Sequence, residues 1–531
     1  MKKTILLIWV LLGFISCRSI KNHNEQITKL HDIAHLHEDI DKVYTQLKRH
    51  HPKLYQYTPK EVLDFKFDSL KKAITTPIDS RELYKKLAPV VSQIRQGHIS
   101  LSSANKWYTK KARKQLLKRK FEFYALDFEY LENKLWVKDT RGEDSTIIGS
   151  EVVKIEDDLT SDLIKTYKTR FSSDGYNTTL YNRYVGRQFS NFYYKDKGFV
   201  DSLRITFKNK DSLFVKTFKR LKEKEKSKKQ DTTKVAKREK LTSAEKRANR
   251  LALKKKRKFN RKHGFIKKYK TYTRNFRFME EVKDVAYMKL RSFTNGNYKR
   301  FYKESFAKLD SAKTKYLILD LRDNGGGRIA EIDYLYSYLT LENYKFIEDS
   351  EVNSRIPFLK FLMSNTTSNS IKVLSGIVSP IIIVQNLIRT RKRHGKLYYR
   401  FRQTRVKEPR PLHFTGKIYV LINGNSFSAS SLLSTHLKAT KRATFVGEET
   451  GGAYNGTVAG IYKLYELPNT KLKIRMGMMQ IEAPQKQNPD GYGVKPDVEI
   501  LPAINDRSIK KDSELEWILN DIEEKQGVLG L

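Results

Sequence analysis

An α/β fold preceded by a helical region and a small strand-rich module is predicted from three observations. After Val282, short apolar runs alternate with amphipathic segments. Before residue 100, apolar residues recur at steps of three and four, and from Phe121 to about Leu221 alternation of period two prevails. Leu30, Ile33, Ala34, Ile40, Val43 and Leu47 line one helix that Pro52 ends, and Leu83, Leu87, Val91 and Ile94 line another before Gly97. The strand-rich module covers 119–215, with Phe121-Glu-Phe-Tyr, Lys134-Leu-Trp-Val, Glu151-Val-Val-Lys-Ile and Leu203-Arg-Ile-Thr-Phe as its strands. In the α/β core, 276–505, the runs Val285-Ala-Tyr-Met-Lys-Leu, Tyr316-Leu-Ile-Leu-Asp-Leu and Ile418-Tyr-Val-Leu-Ile suit a parallel sheet buried on both faces. Helices are expected near 297–309 and from Ser430. The apolar run 371–388, broken by Ser379 and Pro380, predicts a lid or packing segment and not a membrane span. The terminal segment 506–531 carries an amphipathic helix over 513–525 that should dock on the core.

Charge and cysteine usage narrow the function classes. The chain has 531 residues with 105 Lys and Arg against 59 Asp and Glu, a net charge of +46. Between Lys216 and Lys270 there are 25 basic and 5 acidic residues, which marks 216–275 as a basic insertion between two strand-like segments. Its default reading is a solvated face. Few aromatics interrupt the densest part, which disfavours base stacking, so nucleic acid is not the expected partner and an anionic surface is the better one. The single cysteine, Cys17, excludes an intramolecular disulfide and a cysteine-based zinc cluster. Lys2 and Lys3, the apolar run from Ile5 to Ile15, then Ser16 and Cys17 follow the order of an export signal. The segment 1–16 resembles a lipoprotein signal peptide, with Cys17 in the position of the acylated cysteine of a bacterial lipobox and Phe14 where leucine is usual. A tether and helical region then cover 17–118. This resemblance implies a chain exported and held at a cell-envelope membrane.

Four motifs carry the chemistry. Asp320-Leu-Arg-Asp-Asn-Gly-Gly-Gly327 follows an apolar strand, and its glycines leave amides open to an anion or oxyanion. No Gly-Lys-Ser/Thr follows, so a phosphate loop is disfavoured. Asn423-Gly-Asn-Ser-Phe-Ser-Ala-Ser-Ser431 lies where a strand ends and a helix begins, so a hydroxyl there sits at the positive helix pole. Helix capping explains Ser430 and Ser431 equally well, and spacing does not choose among the other serines. His98, after Gly97, is a candidate general base. Asp490, opening Asp490-Gly-Tyr-Gly-Val-Lys-Pro-Asp497, is a candidate orienting carboxylate, whereas Asp497 reads as a turn residue.

Together with Gly447-Glu448, these motifs resemble the C-terminal processing (tail-specific) serine peptidases, in order and approximate spacing over 276–505 and more weakly over 28–215. The resemblance implies a ClpP/crotonase-like spiral core, a PDZ-like identity for 119–215, and Ser428 as the nucleophile. The tail-specific branch has a lysine base shortly after Gly-Glu; here that position is Ala453. The sequence is therefore closer to the tricorn-core-like branch, which implies His98 as base and Asp490 as the third residue, an aspartate where that branch has glutamate. The same resemblance implies an oxyanion hole of the Ala429 amide with that of Gly325 or Gly326, a polypeptide substrate, and no metal or organic cofactor. The expected function is a lipid-anchored envelope serine endopeptidase acting on exported polypeptides. The alternatives are a non-catalytic peptide- or lipid-binding protein on the same fold and a basic surface adaptor.

Overall fold

The computed structural model describes residues 19–141, 144–220, 242–267, 269–509 and 511–528; Cys17 lies outside them. Its centre is a six-stranded sheet in the order Arg274–Phe278, Val285–Leu290, Tyr316–Asp320, Lys417–Ile422, Ala443–Gly447, Val498–Glu499. Only the first pair is antiparallel. Every residue of Tyr316–Asp320 is buried, as a central strand covered on both faces requires. Helices Tyr298–Ser311, Ile329–Tyr336 and Ala429–Ala439 supply much of the apolar packing on one face, with Phe301, Phe306, Leu335, Leu433 and Leu437. On the other face Ile518 and Ile522 of the helix Ser513–Val528 pack against Ile318, Tyr419 and Leu421, the docking expected for the last helix. Arg322 pins that helix by pairing with Asp512 and Glu514 while also binding Asp320.

The N-terminal helices Ile33–His50, Lys60–Lys72 and Ser80–Ser92 do not form a separate bundle. Leu36, Val43, Leu47, Phe67, Leu83 and Leu87 share one core with Leu467, Leu472, Ile474 and Met476 from the far end of the chain. That end contributes the hairpin Thr457–Glu466 and Lys473–Ile481 to a second sheet, ordered Ser100–Ser102, Lys473–Ile481, Ser350–Val352, Lys396–Tyr399, Thr390–Arg393. Ser100 faces Arg475 and Leu101 faces Ile474 across this antiparallel pairing.

The module expected at 119–215 is an antiparallel sheet ordered Leu126–Leu131, Lys134–Thr140, Glu151–Ile155, Ser202–Asn209, Ser212–Lys219, covered by three helices. Its last strand runs to Lys219, four residues past the expected boundary. Phe121-Glu-Phe-Tyr is not a strand: Glu122–Ala125 is a 3-10 turn that still buries Phe121 and Phe123. A two-residue spacing of rings served a tight turn as well as it would serve a pleat.

The described part of the basic insertion is dominated by the helix Ser243–His263, which starts at a Thr242/Glu245 capping box and buries no residue. The far end of 216–275 departs from the expectation. Arg274 is fully buried on the edge strand, bonded through Nε to Glu331 at 2.7 Å and through Nη2 to the Asn295 carbonyl at 2.8 Å. The run 371–388 lies in one continuous helix, Asn369–Arg389, through Pro380, with only Ser375 and Asn386 buried, so of the two expected roles the inward-packing one does not hold.

Candidate functional site

The strand Lys417–Ile422 ends at Asn423, and Ser428 stands immediately before the helix Ala429–Ala439. The first motif clasps this turn. The Asn425 side chain donates to Asp323 Oδ1 at 2.8 Å, the Phe427 amide donates to the Asn324 carbonyl at 3.0 Å, and the Asp323 amide donates to Asn423 Oδ1 at 3.0 Å. So held, Ser428 adopts φ 60° and ψ −118°, a sparsely populated conformation for a residue with a Cβ. A strained serine between a strand and a helix N-terminus presents its hydroxyl outward, although the G-x-S-x-G sequence is absent.

Pairing of Ser100–Ser102 with Lys473–Ile481 carries His98 to the same place. Its Nε2 lies 3.0 Å from Ser428 Oγ, across 330 positions of sequence. The ring stacks between Phe427 and Tyr462, with centroids at 4.9 and 5.7 Å. Burial, with lesser contributions from Arg475 and His51, lowers its pKa to about 3, so the imidazole is neutral near pH 7.

Contrary to the expectation from sequence, the other ring nitrogen does not meet Asp490. Nδ1 lies 2.9 Å from Thr457 Oγ1, and that hydroxyl donates to Asp174 Oδ1 at 3.1 Å. Asp174 also accepts from the Gly97 amide at 2.8 Å. Burial raises the Asp174 carboxyl to about 6, leaving it mostly charged at neutral pH. A charged carboxylate only accepts, so the Thr457 hydroxyl must donate to it and accept the hydrogen bond of His98 Nδ1–H with a lone pair. This order leaves Nε2 bare to accept from Ser428. Asp490 instead accepts from Gln56 Nε2 at 2.9 Å and from the Gly491 amide at 2.7 Å. The Gly491 carbonyl in turn accepts from the Tyr176 amide at 2.7 Å, so this turn is tied to the segment that bears Asp174.

The glycine loop is corrected in detail. The Gly326 amide is taken by Asn324 Oδ1 at 2.9 Å, and Gly325 is exposed with open space around it. Gly326, at φ +96°, is needed for close approach: a Cβ there would lie 2.8 Å from Ser428 Cβ and from the Ala429 amide nitrogen. A cavity of about 420 Å³ opens beside Ser428, and Gly327 and Ala429 line it, together with apolar walls from Ile329, Leu432, Ala459 and Ile481. Ala453 lines it too, and among the described residues no lysine does. Ala429, at the first position of its helix, has an amide without an intrahelical partner. Among the described residues no cluster of three or more His, Cys, Asp or Glu could hold a metal ion.

Thr457 and Asp174 were not singled out from sequence. Asp174 lies in Ser-Ser-Asp-Gly, which reads as a turn, and Thr457 opens a strand; neither carries a motif.

Two solved structures of mature CPAF, one complexed with lactacystin, have the same fold at TM-scores of 0.59 and 0.57. Each is 13% identical and covers 92% of this chain, and the matches take in 97% and 96% of the CPAF chains. The photosystem II D1 C-terminal processing protease matches at a TM-score of 0.41 and 12% identity, over 88% of this chain and 93% of its own. No curated protein sequence matches the chain. Residues 284–500 match the family model Peptidase family S41, so the chain carries a serine peptidase domain of that type.

Proposed function

We propose that the chain is an endopeptidase of exported polypeptides that works through an acyl-enzyme on Ser428 with His98 as base. The observation that carries this reading is the 3.0 Å approach of His98 Nε2 to Ser428 Oγ beside an open cavity. Ser428 Oγ attacks the scissile carbonyl while Nε2 takes its proton. The Ala429 amide and the Gly327 amide stabilise the oxyanion. His98 then protonates the leaving amine, and a water deprotonated by the same nitrogen releases the acyl group. Thr457 and Asp174 act as positioning residues that hold the imidazole in its accepting tautomer.

The tricorn-like reading of the branch is supported by Ala453 in the cavity wall where a lysine base would otherwise stand. The module of 119–215 is read as PDZ-like, with an edge strand of its sheet accepting substrate by β-augmentation. The order of residues 1–17 supports export and a diacyl anchor on Cys17, which would hold the enzyme at a cell-envelope membrane.

A fluorophosphonate probe should label the wild-type chain, and Ser428→Ala should abolish both labelling and peptide cleavage. His98→Ala should lower acylation by about three orders of magnitude or more. Peptide cleavage retained by Ser428→Ala would refute the mechanism. A mature protein with a free thiol at residue 17 would refute the anchor.

A further inference from the structure

The helix Asn369–Arg389 is amphipathic in the reverse sense to a core helix. Its buried residues are the polar Ser375 and Asn386. Ile371, Leu374, Ile377, Ile381, Val384 and Ile388, spaced three and four apart, form one outward stripe, each 49–73% exposed. Phe361 and Met363 extend the exposed apolar surface from the preceding segment. A contiguous patch of this kind is a contact surface for something apolar.

The charge around it says what. From 353 to 407 the sequence holds 12 Lys and Arg and no Asp or Glu. The helix runs directly into the hairpin Thr390–Arg393 and Lys396–Tyr399, which presents Arg391, Lys392 and Lys396 at exposed positions. A second copy of this surface would bring like charges together, whereas an anionic bilayer offers both an apolar interior and compensating headgroups.

At about 31 Å the helix is long enough to cross a bilayer. Its tethers forbid that. Before the helix, Asn365 Nδ2 donates to the Glu466 carbonyl at 2.7 Å and Thr366 Oγ1 to the Leu464 carbonyl at 2.8 Å. At its end, the Phe358 amide donates to Asn386 Oδ1 at 3.3 Å, and Thr390 pairs with Tyr399. Both ends are fastened to one folded body, so the helix can lie in an interface but cannot thread through it.

We infer that Asn369–Arg389 and its basic hairpin dock on an anionic membrane surface, with the outward stripe seated among the headgroups. The hairpin belongs to the same sheet as Lys473–Ile481, whose Ile481 lines the cavity, so docking fixes the cavity relative to the membrane. This contact is independent of any acyl chain on Cys17.

The only cysteine is Cys17, so the full chain carrying Cys17→Ser and Ile381→Cys takes one NBD label on the outward stripe and no lipid. Vesicles of phosphatidylcholine and phosphatidylglycerol at about two to one should blue-shift and brighten the label, and salt of about 0.5 M should reverse this. Neutral phosphatidylcholine vesicles should not change it, nor should either vesicle affect a label placed by Val215→Cys. Arg391→Gln with Lys392→Gln should raise the anionic lipid needed about 25-fold, at about fivefold per charge. The proposal is overturned if the label at 381 ignores anionic vesicles, even when the chain sediments with them. An equal response to neutral vesicles overturns it as well. A concentration-dependent blue shift without lipid would assign the stripe to a second copy instead.

Discussion

At the residue scale, the proposed mechanism gives the hydroxyl of Thr457 the place a carboxylate has in other serine hydrolases, acting by relay. It passes the preference of Asp174 for a donor onto Nδ1 of His98. Thr457→Val keeps the shape and removes the relay, so kcat should fall about 100-fold or more with little change in KM, because the wrong tautomer becomes accessible. Asp490→Asn should leave kcat within a few-fold of wild type, since its partners are Gln56 and Gly491. The pH profile separates the two carboxylates. Asp174 has its pKa raised to about 6 and serves only when charged, so kcat/KM should be full above that value and fall as pH drops through it. Asp174→Asn should remove that limb. The sequence offered the histidine and the serine-rich turn as candidates because both sit in compact motifs, while the choice of Ser428 came from the family resemblance. Asp174 and Thr457 matter only through their meeting across 283 positions, and nothing local marks either one.

At the element scale, the turn at Ser428 stores strain that a glycine would not feel. Ser428→Gly should therefore be more stable than Ser428→Ala by about 1 kcal/mol in denaturant midpoint analysis, with both inactive. Gly326→Ala should lower stability and activity together, because its Cβ would collide with Ser428 Cβ and the Ala429 amide. The basic helix Ser243–His263 behaves differently along its length. Removing 222–256 should leave peptide cleavage largely intact, whereas extending the deletion to 262 removes the Phe259 stack on His263 and the Lys262 pair with Glu304. Periodicity identified the buried strands well, since a strand covered on both faces admits few residue types. It did not separate the lid from the packing reading of the run 371–388, because apolar content records affinity for a nonaqueous neighbour and not whether that neighbour is protein.

At the scale of the whole molecule, the buried histidines make folding sensitive to acid. Burial lowers His50, His51 and His98 to about 3 and His436 to about 4. Between these values and 6.5 the unfolded chain binds protons that the folded chain refuses, so stability rises with pH across that window and is lost as pH falls. Each ring contributes a slope of about 1.4 kcal/mol per pH unit within it. Urea midpoints measured from about pH 7 down to about pH 4 should show the decline, and His51→Phe, which removes a buried ring without hydrogen-bond partners, should flatten it. The division into a helical region, a strand-rich module and an α/β core was readable from composition and period. The sharing of one core by the first hundred residues and the strand Lys473–Ile481 was not, because apolar stripes do not name their partners.

That shared core has a consequence for synthesis. A polypeptide made from its amino end releases the imidazole 330 residues ahead of the hydroxyl, and the segment bearing it has no edge to join until Lys473–Ile481 has been made. The proposed peptidase is therefore inert while most of its chain is being translated. Competence arrives only with the last tenth or so of the chain, when the strand that receives the histidine segment has been made.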